Sequence, residues 1–166
     1  MTFYKQIYIS PLGEMSLVAA ETGLVGAWFF KQKYFELGLE KATMPVENDI
    51  LKRTRLLLDC YFNGDCPDFS SLVLAPVGTD FQQQVWAYLQ TIPYGRTVTY
   101  GQIAKELDIH SAVGGAVGRN PFSIIVPCHR VLGSQGQLTG YAGGLDKKMW
   151  LLKHEGVELS EKALDK

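Results

Sequence analysis

The chain changes texture at Pro76, and that change constrains its fold more than any total over the whole sequence. Before Pro76 apolar residues alternate or come in short blocks: FYKQIYIS alternates, EMSLVAAE follows a Pro-Leu-Gly break, and ETG leads into LVGAWFF as the second arm of a hairpin. Residues 46–62, VENDILKRTRLLLDCYF, have helical spacing instead, with Ile50, Leu51, Leu57, Leu58 and Tyr61 on overlapping faces. NGDCPDF ends that helix, and SLVLAPVG reads as a short strand or an extended linker. After Pro76 the signals are helical. Thr79-x-x-Gln82 and Thr99-x-x-Gln102 have the form of capping boxes, in which the Thr hydroxyl and the Gln side chain satisfy backbone N–H groups that a helix start leaves open. The first opens TDFQQQVWAYLQTI, whose Phe81, Val85, Leu89 and Ile92 share a face, and Pro93-Tyr94-Gly95 stops it. The second opens TYGQIAKEL, and SAVGGAVG follows within a few residues, which is the layout of a helix-turn-helix. In DKKMWLLKHEG, Asp146 is expected as N-cap, Met149, Trp150 and Leu152 as the inward face, and Gly156 as the stop. The expectation is an α+β or α/β chain of two domains, 1–76 rich in strands and 77–166 helical, with a polar tail beyond Glu158 that frays.

A length of 166 residues and a hydrophobic content of 46% suit one ordinary domain or two small ones with a true core. MTFYKQIYIS has no signal-peptide pattern, and no run approaches the roughly 18 apolar residues of a membrane span, so a cytoplasmic protein with no membrane partner is expected. The cysteines, Cys60, Cys66 and Cys128, are odd in number, which points to reduced thiols rather than a disulfide framework. Cys60 and Cys66 lie too far apart for a short zinc spacing, and His110, His129 and His154 all fall in the second half, so no metal site is expected. Cys60 reads as a helix-face residue and Cys66 as a loop residue. The formal net charge of -1 does not mark the chain as a nucleic-acid binder, although residues 77–166 are slightly more basic than residues 1–76.

One short word carries chemistry. IIVPCHRV places a thiol, an imidazole and a guanidinium in sequence behind an apolar run, and the proline before Cys128 suggests a strand end from which a reactive group emerges. A thiol with an ordinary pKa near 8.5 is only a few per cent ionised at neutral pH, so a nucleophilic Cys128 needs a base or a positive neighbour. His129 can be that base, directly or through water, and a carboxylate on its far nitrogen would fix its tautomer; spacing does not choose between Asp146 and Glu155. A cysteine in such a pair can equally be a small buried hydrophobe. Gly114 and Gly115 each cost roughly 1 kcal/mol against alanine inside a helix, so either tight packing in the core or close approach to another backbone must favour them.

The words GTDFQQQVWAYLQTIPYGRTVTYGQIA, GRNPFSIIVPCHRVLG and TGYAGGLDKKMWLLKHEG resemble the 6-O-methylguanine-DNA methyltransferase family over residues 78–156, while the first 76 residues resemble its N-terminal domain in layout only. The resemblance implies an N-terminal α/β domain of ribonuclease-H-like topology. It also implies a helical, winged-helix-like C-terminal domain whose helix-turn-helix enters the minor groove and flips the damaged nucleotide. Flipping is required because the alkylated oxygen lies inside the duplex. The implied activity is irreversible transfer of the alkyl group of 6-O-alkylguanine, and less well of 4-O-alkylthymine, to the protein, with double-stranded DNA as partner, no cofactor and a monomer as the acting unit. By this resemblance Cys128 is the acceptor, His129 passes its proton through water, and Glu155 rather than Asp146 orients His129. Asn120 ties the recognition helix to the active-site strand, and Tyr100 supports the rotated phosphate and helps protonate the leaving guanine. Val131, Tyr141, Ala142 and Gly143 line the pocket, with Val117 and Ser123 beside it. Ser111, Ala112, Gly114 and Gly115 belong to the helix that meets DNA, where small residues suit a groove about 6 Å wide. Arg130 is a phosphate contact or, equally, a structural ion-pair partner.

The sequence departs from the family at one place. Where the recognition helix usually begins with an arginine that fills the gap left by the flipped base, DIHSAVGGA has Ser111 or nothing at that position, and the connection from Tyr100 is about three residues short. Weaker action on duplex DNA than the pocket chemistry alone would give is therefore expected, with His110 a poor substitute. Two other classes compete: a damage-binding protein, which the presence of Cys128 disfavours, and a thiol hydrolase built on Cys128 and His129, which would turn over.

Overall fold

The first strands form where alternation predicts them. In the computed structural model, which describes residues 2–37, 39, 43–109 and 112–159, β1 (Phe3–Ser10) pairs antiparallel with β2 (Gly13–Ala19), and β2 with β3 (Leu24–Phe29). A two-residue strand β4 (Thr43–Met44) lies parallel to β1, giving the order β3-β2-β1-β4. All six residues of β3 are buried, which is why LVGAWF reads as an unbroken apolar run rather than an alternating one. Helix α1 (Asp49–Phe62), capped by the Asn48 side chain on Leu51 N–H, lies against β1 and β2 and buries Leu51, Thr54, Leu58 and Tyr61. Cys60 faces outward on α1 and Cys66 sits in the loop beyond; both are free thiols.

The far edge of β3 is covered by two extended segments. Leu24 N–H donates to Val73 C=O at 2.8 Å and Leu24 C=O accepts Ala75 N–H at 2.7 Å, so SLVLAPVG contributes one bridge rather than a strand. Ala27 forms the second bridge with Phe122. The chain accordingly divides into two compact units: Met1–Val77 with Pro121–Ile125, and Gly78–Asn120 with Val126–Lys166.

In the second unit both capping boxes form in full, opening α2 (Asp80–Leu89) and α3 (Tyr100–Glu106). The short strand β5 (Val98–Thr99) precedes α3 and pairs in parallel with β6 (Val131–Leu132). Helix α3 ends with Asp108 in the left-handed region and Ile109 N–H on Ala104 C=O, a Schellman-type stop with aspartate where glycine is usual. Helix α4 (Val113–Gly118) follows, and the Trp86 indole N–H donates to Ala116 C=O at 2.8 Å, tying α4 to α2. Helix α5 (Leu145–His154) is capped by Gly144, not by Asp146: Gly144 C=O already accepts Lys148 N–H, so the helix starts before Asp146 reaches the cap position. Leu152 is buried with Leu132 and Leu138, and Met149 packs on them as expected. Trp150 is half-buried and stacks on His154 at 4.8 Å, while Lys148 and Leu151 are fully buried. Gly156, at φ 82°, ends the helix. No helix among the described residues is long and apolar enough to cross a membrane.

Candidate active site

Cys128 does not stand at the end of a strand. Residues 123–125 form a turn, with Ile124 at φ 73°, and Cys128–Arg130 form one turn of 3₁₀ helix whose N-cap is Pro127; the strand, β6, comes afterwards. The Asn120 side chain explains the difference, since its amide donates to Val126 C=O at 2.7 Å and takes the carbonyl that a sheet neighbour would use. Cys128 N–H also donates to Val126 C=O, at 2.8 Å, which folds the chain back on itself at the thiol.

The choice left open between two carboxylates is decided by position. Asp146 is exposed in the first turn of α5, whereas the Glu155 side chain is wholly buried, with Oε2 2.5 Å from His129 Nε2. Glu155 Oε1 accepts Arg130 Nε–H at 2.7 Å and Gly95 N–H at 3.1 Å. Helix α2 ends at Leu89 with Gln90 as its C-cap, before the expected stop at Pro93-Tyr94-Gly95; Gly95 has φ 77°, and a side chain there would press on Glu155 C=O, so this glycine lets the backbone reach the carboxylate. Burial by itself would raise the Glu155 pKa; hydrogen bonds from His129 and Arg130, with the charge of Arg130, outweigh it and hold the carboxyl well below the usual range. Burial lowers the His129 pKa despite the opposing pull of Glu155, so the ring is neutral at pH 7. With an ionised acceptor at Nε2, the proton of the neutral ring sits on Nε2 and Nδ1 carries the lone pair. Nδ1 is buried with no hydrogen-bond partner among the described residues.

Arg130 takes the second of its two readings. It is buried, and besides Glu155 its Nη1 donates to Ile92 C=O at 2.7 Å, so its guanidinium is committed inward and the phosphate-contact reading is corrected. A cation between two acidic or carbonyl oxygens is held there because leaving either unpaired in the interior costs more than the contact is worth at the surface.

The thiol is buried, and burial raises its pKa; a hydrogen bond from the Asn120 side chain and the positive charge of Lys148 act in the other direction. Lys148 is 0% exposed and its Nζ donates to Thr139 C=O at 3.0 Å and to Gly140 C=O at 3.1 Å. Tyr100 O–H donates to the same Thr139 carbonyl at 3.1 Å, and its pKa is raised by burial and then by the Cys128 charge, so the phenol keeps its proton. Sequence reasoning missed Lys148, although it stands four residues before Leu152 and seven before Glu155, on the apolar stripe of α5.

Val131 is buried in β6; Tyr141, Ala142 and Gly143 are half-buried in a turn closed by Gly144 N–H on Tyr141 C=O at 2.9 Å. Val117 is buried in α4. Ser123 belongs to the first unit, where its hydroxyl donates to Gln32 Oε1 at 3.0 Å. Ala112, Gly114 and Gly115 are exposed, and a side chain added at Gly114 would meet nothing within 4 Å, so tight core packing is not what favours these glycines. His110 and Ser111 lie outside the described residues.

Residues 3–76 match the family model described as the 6-O-methylguanine DNA methyltransferase ribonuclease-like domain, and residues 80–157 match that of the DNA binding domain of the same family. A methylated-DNA–protein-cysteine methyltransferase of Methanosarcina acetivorans is 46% identical, covering 92% of this chain and 98% of the relative. One from Haemophilus influenzae is 38% identical, covering 98% and 91%. The crystal structure of Mycobacterium tuberculosis OGT in complex with DNA is similar with a TM-score of 0.81 at 38% identity, covering 92% of each chain. The two matched segments take in nearly the whole length, and the chain belongs to the 6-O-methylguanine DNA methyltransferase family.

Proposed function

We propose that the protein repairs alkylated DNA in a single turnover, as a cytoplasmic monomer that moves the alkyl group of 6-O-alkylguanine, and less well of 4-O-alkylthymine, irreversibly onto Cys128 after flipping the base. The observation that carries this reading is the polarity of the buried pair: Glu155 holds His129 by Nε2 and leaves Nδ1 as the free acceptor of the residue next to the thiol. The Cys128 S–H proton passes through water to Nδ1, and Glu155 stabilises the imidazolium that results. The thiolate, supported by the Asn120 amide and the Lys148 charge, attacks the alkyl carbon in line. An S–C bond forms, the C–O bond breaks with its electron pair left on the guanine, and the Tyr100 phenol supplies a proton to the leaving base. The product is a thioether, which water does not cleave, so no cofactor regenerates the protein. The open surface at Gly114 and Gly115 suits a helix that lies in a narrow groove, and exposed free thiols at Cys60 and Cys66 suit a reducing compartment.

Counting alkyl groups removed from an excess of methylated duplex tests the reading: release should stop at one per protein molecule. A count that keeps rising would mean that water completes the dealkylation in repeated turnovers and would exclude a suicide acceptor. The lack of an arginine in DIHSAVGGA gives a second expectation. Ser111→Arg should speed repair of duplex DNA severalfold, by filling the gap in the stack, and leave the rate with free 6-O-benzylguanine unchanged. A parallel change on both substrates would show that position 111 acts on the pocket and not on the duplex.

A further inference from the structure

In the first unit the outer edge of β3 grips a segment from much later in the chain. Ala27 N–H donates to Pro121 C=O at 2.7 Å and Ala27 C=O accepts Ser123 N–H at 2.9 Å. The Ser123 hydroxyl donates to Gln32 Oε1 at 3.0 Å, and the same oxygen accepts Phe29 N–H at 2.7 Å. Gln32 and Ser123 are both buried. The next residue, Ile124, is fully buried at φ 73°, a conformation that is strained for a β-branched residue and survives only where its surroundings over-determine it. Those surroundings are the Ala27 ladder and the Gln32–Ser123 bond immediately before it. Two residues later stands Val126, whose carbonyl accepts from Asn120 and from Cys128 N–H.

We infer that Gln32 is a positioning residue for alkyl transfer: by holding the Ser123 hydroxyl it fixes the strained turn at Ile124, and with it the path of the backbone into Asn120, Val126 and Cys128. The inference rests on the transfer reading above and assigns the strand-rich unit a part in the chemistry. The loop 120–126 is closed at its base by Asn120 on Val126 and anchored at its tip by Ser123. Releasing the tip lets Ile124 relax towards ordinary backbone angles, which shifts Val126 and loosens the hydrogen bond that Asn120 gives the thiol.

The test is the second-order rate of alkylation of the full chain by free 6-O-benzylguanine across the neutral to alkaline range, since this small substrate takes DNA binding out of the measurement. Gln32→Met is expected to react about tenfold more slowly than the wild type, and Ser123→Ala more slowly by a smaller factor, because a small misplacement of reacting groups is costly. Both should move the rise of the pH–rate profile to higher pH, as the thiolate loses support from Asn120. The double variant should be no slower than Gln32→Met, both changes having broken one link. A role confined to stability would lower the melting temperature and leave the rate and profile of the folded protein at wild-type values, which overturns the inference. If Gln32→Met does not fold, the folded Ser123→Ala variant decides by the same criterion. Failure of the wild type itself to be alkylated at Cys128 would instead overturn the transfer reading, so the two outcomes are distinct.

Discussion

Replacing Glu155 with alanine is expected to destabilise the protein by roughly 3–5 kcal/mol, because it leaves the buried Arg130 cation without its partner. Three groups converge on this one carboxylate: the His129 ring, the Arg130 guanidinium and Gly95 N–H. Glu155→Gln separates chemistry from folding, since it keeps the volume and one accepting oxygen. The Arg130 guanidinium will compete for that oxygen, and the amide NH₂ then faces His129 Nε2, which favours the tautomer with the proton on Nδ1. Alkylation by free 6-O-benzylguanine should fall by about two to four orders of magnitude, the range expected when a general base is disabled. A rate within a few-fold of wild type would remove His129 from the role of base.

The same pair sets the pH range of stability. The folded pKa of Glu155 is depressed, so its contribution is fully present above the ordinary carboxylate value of 4.5 and is lost as pH falls from there through the folded pKa. His129 is held neutral, so the unfolded chain takes up a proton below 6.5 that the folded chain refuses, and stability drops with acidification in that window as well. Melting temperatures of the wild type should therefore decline below pH 6.5, and those of Glu155→Gln should decline less steeply below 4.5.

Lys148→Met should slow alkylation at neutral pH by about tenfold for each unit by which the thiol pKa rises. The ammonium is buried, lowers the pKa of Cys128, and secures the carbonyls of Thr139 and Gly140 just before the turn at 141–144. Methionine keeps the length and removes the charge. If charge is the main contribution, the variant recovers rate as pH is raised and the thiol ionises without help. A loss of equal size at every pH would mean that Lys148 only holds the turn in place.

The parts of this account that were legible in the sequence are the local ones. Both capping boxes, the hairpin strands and the two short helices depend on hydrogen bonds within a few residues, and they form where the pattern places them. What was not legible depends on partners distant in sequence. The 3₁₀ turn at Cys128 replaces a strand end because Asn120 captures Val126 and Ile124 turns left-handed, neither of which leaves a mark in the run IIVP. Arg130 could have faced water; it turns inward because Glu155 and Ile92 C=O are both waiting for a donor. Asp146 looked like a cap, but the turn that ends at Gly144 starts the helix earlier. Lys148 is one of two adjacent lysines in DKKMW, and a lysine on the buried side of a helix that leads into the active-site acid is a usable signal.

One thiol among the three cysteines, Cys128, receives the alkyl group. Peptide mass spectrometry after incubation with a methylated duplex measures it directly, with the exposed thiols of Cys60 and Cys66 as internal controls. A stable gain of one methylene on the Cys128 peptide alone is the predicted result. An unmodified Cys128 after the duplex has lost its methyl groups, or methylation spread over all three cysteines, would contradict it.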